Sequence, residues 1–158
     1  MQKGTQLAEI PIFSPEWSLS FSIRLHADTA SMAGDDDYCN LVHLTKQNHG
    51  GQHGDRIPLI SIYKPTRMLH IPSSINNDHS DDQNLLILSI DQTYKIEVHQ
   101  RYVSNGEYRY FIKIDGVEVH SVINTDARQF YNIKVYASGP FRDACPAYIK
   151  DFKFTNFL

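Results

Sequence analysis

The chain has 158 residues, 41% of them hydrophobic, with a formal net charge of −3. That length suits one domain over residues 1–158, able to bury about 70% of its unfolded surface. The 15 Lys and Arg are dispersed, which argues against a nucleic-acid binder, and no apolar run approaches the ~18 residues that would insert into a membrane as a helix.

Met1 to Glu9 lacks the basic-then-apolar pattern of a secretory leader. Residues 17–26 then alternate apolar and polar without a break, which predicts a strand with one buried face. Residues 28–37 form a polar loop that holds Asp35, Asp36 and Asp37. Residues 39–45 read as a second strand, with Leu41 on one face and Val42 and Leu44 on the other. The Gly-, His- and Asn-rich stretch 46–54 predicts a loop, and 57–63 an apolar strand that Pro65 ends before 68–71 resumes. Residues 76–84 read as a polar loop, closed by the apolar run 85–90.

Asp91-Gln92 predicts a tight turn into the alternating stretch 94–99. Asn105-Gly106 and Asp115-Gly116 are hairpin turns, because both dipeptides accept the positive φ of a type I′ turn. Around the second, Ile112, Ile114, Val117 and Val119 are expected to fill facing positions of one hairpin. Residues 131–137 and 148–154 complete about ten strands with no helical segment, the pattern of an all-β antiparallel sandwich or closed barrel.

Three stretches stand in a telling order. They are the hairpin Ile114-Asp115-Gly116-Val117, the strand Asn132-Ile133-Lys134-Val135-Tyr136-Ala137-Ser138, and the closing run Ala147-Tyr148-Ile149-Lys150-Asp151-Phe152-Lys153-Phe154-Thr155-Asn156. This order resembles the concanavalin A-like lectin/glucanase superfamily, in particular its laminin-G-like and pentraxin-like branches. Asn40-Leu41-Val42-His43-Leu44-Thr45, leading to Gly54-Asp55-Arg56-Ile57-Pro58, is similar to modules of secreted and cell-surface invertebrate proteins. The closing run departs from the family in having Ala147 where glycine is usual.

The resemblance implies a two-sheet jelly-roll sandwich in an extracellular protein. It also implies a non-enzymatic module that binds glycans through rim loops or the concave sheet. The alternative is an adhesion or receptor module that binds cell-surface or matrix proteins, and a homo-oligomer is open to either. The glucanase branch needs two carboxylates on one face of one strand, whereas here Glu97 and Glu107 are isolated and Glu118 has only Asp115 near it. A Trp platform of galectin type is not expected, since Trp17 opens a strand and suits the core.

Asp55 and Arg56 are the most family-like polar pair, with Arg56 expected either to pin the Gly-rich loop through a carboxylate or to face a ligand. His49 and His53 lie four apart beside them, but Gly50-Gly51 forbids a helix, so a solvated loop is favoured over a zinc site. Tyr63, Tyr102, Tyr108 and Tyr110 are aromatic faces for a sugar or, more simply, packing residues. Calcium, the one cofactor expected, would fall to Asp78, Asp81 and Asp82 before Asp35 to Asp37. Cys39 and Cys145 fit no zinc spacing. They are either two buried thiols or, as favoured, one disulfide between strands near the sheet edges.

Overall fold

The computed structural model describes residues 1–47 and 49–158; Asn48, within the predicted Gly-rich loop, lies outside the described residues. The strands in chain order are β1 (Thr5–Phe13), β2 (Trp17–Leu25), β3 (Tyr38–Thr45), β4 (Leu59–Tyr63), β5 (Met68–Ile75), β6 (Asp78–Ile87), β7 (Thr93–Ser104), β8 (Glu107–Ile114), β9 (Val117–Asn124), β10 (Phe130–Ala137) and β11 (Ala147–Asn156). One 3₁₀ turn at Thr29–Ser31 is the only helical element among the described residues. Two antiparallel sheets result, ordered β1-β10-β3-β4-β5-β6 and β11-β2-β7-β8-β9.

Period-2 patterning explains how the sheets meet. In β2 the side chains of Trp17, Leu19, Phe21, Ile23 and Leu25 are all buried, and each contributes roughly 1.5–3 kcal/mol by leaving water. They meet Leu41, Val42, Ile60, Ile62, Ile133 and Val135 of the facing sheet in one core. Trp17 is a core residue, stacked on Phe154 at 6.3 Å and tilted against Phe13 at 5.7 Å.

Several expectations need correction. Residues 78–84 are not a loop but the start of β6, entered through Asn76-Asn77 at φ 51° and 62°. The polar composition was read as a turn, whereas it belongs to an edge strand exposed along most of its length. β1 escaped the sequence reading for the same reason, being almost wholly exposed. Leu41 does not oppose Val42 and Leu44: a bulge between Asn40 and Val42 brings all three into the core. Val117 and Val119 are 64% and 44% exposed, because β9 is a sheet edge and a bulge breaks its register beside Ile112.

Cys39 and Cys145 form a disulfide with Cα atoms 5.0 Å apart. Cys39 lies on the interior strand β3 rather than near an edge, and it ties that strand to the segment before β11. The bond spans 106 residues, and closing so long a loop in the unfolded chain stabilises by roughly 4–5 kcal/mol in the chain-entropy model. Reduction should therefore lower the melting temperature by about 10 °C, read by calorimetry with and without reductant.

Asp115 and Gly116 adopt φ 51° and 81°, as a type I′ turn demands. The turn also docks on β7, where Asp115 Oδ1 accepts from the Lys95 N–H at 2.8 Å. No atom would obstruct a Cβ at Gly116, so Gly116→Val meets backbone strain alone. Its expected cost in chemical denaturation is roughly 1–2 kcal/mol, with ligand binding unchanged.

Candidate functional site

The outer face of the six-stranded sheet carries most of the polar side chains singled out by sequence. Two segments lie over its centre: residues 49–58, between β3 and β4, and residues 138–146, between β10 and β11. Beneath them β3 is buried on both faces, so Asn40, His43 and Thr45 are fully buried polar residues. His43 Nε2 lies 2.7 Å from the Asp55 carbonyl oxygen, which makes Nε2 the protonated nitrogen. Among the described residues its Nδ1 and both amide atoms of the Asn40 side chain have no hydrogen-bond partner.

Gly139 permits this close cover. At φ 119° it already favours glycine, and a Cβ there would sit 3.2 Å from the Asn40 amide nitrogen and 3.4 Å from His43. The disulfide holds the same segment down, together with hydrogen bonds from the Asn40 N–H to the Asp143 carbonyl and from the Cys145 N–H to the Asn40 carbonyl.

Asp55 is buried under this cover, with Oδ2 accepting from the Gln52 N–H at 2.9 Å. Arg56 ties the loop down, among the described residues without a carboxylate in ion-pair contact. Its Nε donates to the His49 carbonyl at 2.9 Å and Nη1 to Ser80 Oγ at 3.1 Å. Burial and then the Arg142 charge lower the Arg56 pKa from its ordinary value. His49 packs on Phe141 at 5.6 Å; burial first, then Arg142 and Arg56, pull its pKa down to about 4. His53 turns elsewhere, onto Phe130 at 6.0 Å, so the two histidines do not converge.

The acidic triplet also disperses. Adjacent in a strand, Asp81 and Asp82 point to opposite faces of β6, and Asp78 Oδ1 accepts from the Ser80 N–H. Among the described residues no three His, Cys, Asp or Glu side chains converge on one point. Of the other tyrosines, Tyr110 is in the core, and Tyr102 packs edge-on with Tyr108 at 5.6 Å on the other sheet.

Beyond the cover the face is open. A cleft of about 310 Å³ is lined by Tyr38, Tyr63, Thr66, Met68 and Asn84. Tyr63 lies 5.4 Å from Tyr38, whose ring is 4.8 Å from His70. His70 faces Ser61 Oγ at 3.2 Å through Nδ1 and Asp82 at 3.7 Å through Nε2. Burial lowers the His70 pKa, and Asp82 opposes the shift. The Arg142 guanidinium sits 5.0 Å over the Tyr38 ring while its Nε donates to Asp36 at 3.0 Å. Burial disfavours the Asp36 carboxylate, but the Tyr38 N–H and Arg142 outweigh it and hold its pKa below the ordinary value.

Of the rings in this group only Tyr63 was named from sequence, with Asp36 and Asp82 named there for calcium instead. His70 was within reach, since its alternation with Leu69 and Ile71 puts it on the outer face. Arg142 lies in a segment without periodicity and carried no signal.

No protein-family model matches the sequence, and no curated protein matches it. Solved structures do. The heptameric pentraxin of Limulus polyphemus matches at TM-score 0.58 and 10% identity, over 97% of this chain and 73% of that one. An alginate lyase from Pseudomonas aeruginosa matches at TM-score 0.56 and 11% identity, over 90% and 65%. A glucuronan lyase from Trichoderma reesei matches at TM-score 0.51 and 16% identity, over 87% and 59%. This is the concanavalin A-like lectin/glucanase fold. At such identities the likeness fixes the fold alone, and the fold serves binding proteins and polysaccharide lyases alike.

The covered histidine sets a pH dependence. Burial keeps His43 neutral in the fold, with its pKa down at about 3, whereas the unfolded chain takes up a proton below about 6.5. The unfolded state thus binds more protons between those values, and stability is lost as pH falls through that window. In urea titrations His43→Gln should flatten this loss by about 1.4 kcal/mol per pH unit, one proton's share.

Proposed function

We propose that the chain is an extracellular recognition module that binds a saccharide in the open cleft of the six-stranded sheet and catalyses nothing. One observation carries the reading: Tyr63, Tyr38 and His70 set three rings in series at 5.4 and 4.8 Å beside a cleft edged by Asn84 and Thr66. Rings present flat apolar faces to the C–H side of a sugar, while the amide and hydroxyl read its hydroxyl groups. Asp82 and Arg142 flank this row and limit how the side chains move. The open cleft of the six-stranded sheet, rather than the loops over it, is the binding surface, since Asp55, Arg56 and His49 are engaged in holding the cover.

The reading as a binder rests on what is out of reach. His43 and Asn40, the groups best suited to proton transfer or carboxylate neutralisation on this face, are fully buried. The disulfide supports an oxidising, extracellular setting. Binding through the ring series requires no calcium.

A protein ligand is the second reading, favoured by the edge strand β9, which exposes Val117, Val119 and Ile123. An uncapped edge of this kind accepts an added strand. Val119→Lys should abolish such pairing in sedimentation or pull-down measurements and leave sugar binding intact.

A glycan array with calcium and with chelator tests the main reading. Signals should survive chelation, and Tyr63→Ala should weaken the best ligand by roughly fivefold to tenfold at unchanged melting temperature. Silence across neutral and acidic glycans would sink it.

A further inference from the structure

The outer face of the five-stranded sheet has a different chemistry. Along β2 the outward side chains from Ser18 to Ser22 are all serines, with Arg24 closing the row, while the neighbouring strands set the longer Lys150, Lys153, Lys95, Glu97 and His99 beside them. The consequence is a trough running along β2, with two openings end to end. One, of about 320 Å³, lies over Ser18 and Ser20 between Lys95 and Lys153; the other, of about 160 Å³, lies over Ser22 beside Lys150 and Tyr148. From Ser18 to Arg24 the strand runs roughly 20 Å, and its flanking strands stand roughly 10 Å apart. A chain fits that shape better than a single small ion.

The lysines are gathered there by the backbone. Lys150 and Lys153 are three apart, so in a regular strand they would point to opposite faces. A bulge between them, with Asp151 at φ 55°, turns both to the trough: Lys150 pairs opposite Ser22 and Lys153 opposite Ser20. Bulges re-aim side chains in this way, and a non-glycine residue at positive φ carries a conformational cost that the surrounding pairing must hold.

No ion pair occupies these charges. Among the described residues Lys95, Lys150 and Lys153 have no carboxylate within ion-pair distance, and the trough's Glu97 is taken by His99 Nε2 at 3.4 Å. That contact makes Nε2 the protonated nitrogen of neutral His99, so Ser18 Oγ donates to Nδ1 at 2.7 Å and keeps its lone pairs for a ligand hydroxyl. Burial lowers the His99 pKa, with Glu97 opposing.

We infer that this trough binds an anionic saccharide chain, at a site separate from the open cleft of the other sheet. Lysines on both walls meet its sulfate or carboxylate groups, the serine floor meets its hydroxyls, and the half-exposed Tyr148 ring closes one end. A nucleic acid shares the charge but offers bases that a floor of hydroxyls leaves unstacked.

Fluorescence anisotropy with labelled dextran sulfate, labelled oligouronate and uncharged dextran tests the assignment. At least one of the two anionic probes should bind, more weakly at high salt, and uncharged dextran should not. Which anionic probe binds identifies the charged group. Lys150→Gln/Lys153→Gln should weaken binding about tenfold or more. Ser20→Leu, which fills the floor while leaving every charge, should weaken it comparably with no drop in melting temperature. Lys3→Gln, away from the trough, should change nothing. Tyr63→Ala should also change nothing, which separates this site from the cleft.

The assignment is overturned if neither anionic probe binds, or if Ser20→Leu binds like the parent. Equal loss from Lys3→Gln, or equal binding of single-stranded DNA of matched charge, would overturn it too.

Discussion

Burying β3 on both faces is the constraint from which the outer surface of the six-stranded sheet follows. One side of the strand gives Cys39, Leu41, Val42 and Leu44 to the core; the other gives Asn40, His43 and Thr45 to a space that water does not reach. Polar groups in such a space cost free energy unless they are bonded. The covering segments supply part of what is needed, through the Asp55 carbonyl to His43 and the Asp143 carbonyl to the Asn40 backbone. Cover therefore has to be anchored over β3, and the disulfide from Cys39 to Cys145 anchors it from the core side.

The open cleft is what that cover leaves. β4 and β5 extend past it, so their outward residues Tyr63 and Met68 line the cleft instead of lying under a loop, while His70 stays buried beside Tyr38. Arg142 belongs to the cover and reaches back over Tyr38, which links the edge of the cover to the first ring of the series. Movement of residues 138–146 would thus change both the exposure of His43 and the shape of the cleft. Those residues combine a disulfide, a close-packed glycine and strand-like pairing of Asn40 with Ala144, so the cleft is held largely preformed.

Most of the architecture was legible in the sequence because alternation and turn chemistry are local. The alternating run from Trp17 to Leu25 and the two Asx-Gly turns each state their own geometry, whatever surrounds them. The two edge strands of the six-stranded sheet were not legible. β1 and the first half of β6 bury little, so hydrophobicity does not report them, and the acidic start of β6 was read as a calcium-binding loop. The site was legible only where a residue sits on a clean strand. Tyr63 lines the cleft, whereas Asp55, Arg56 and His49, grouped with it from sequence, hold the cover. Their role depends on segments far away in sequence, the 138–146 cover above all.

Bulges mark where period-2 reading fails, and the outer face of each sheet depends on one. At Leu41 a bulge turns Asn40 and His43, three residues apart, to the same outer side and leaves Leu41 and Val42 together in the core. At Asp151 a second bulge does the same for Lys150 and Lys153 on the opposite sheet. A regular strand cannot place two residues three apart on one face, so each bulge exchanges ladder regularity for a cluster of like chemistry. The sandwich core constrains only inward positions, and those stay filled through both irregularities, by Leu41 and Val42 in one sheet and by Phe152 against Phe21 in the other. The core therefore tolerates both, and the irregular backbone tells on the outer surfaces, where a polar cluster on one sheet and a lysine wall on the other need it.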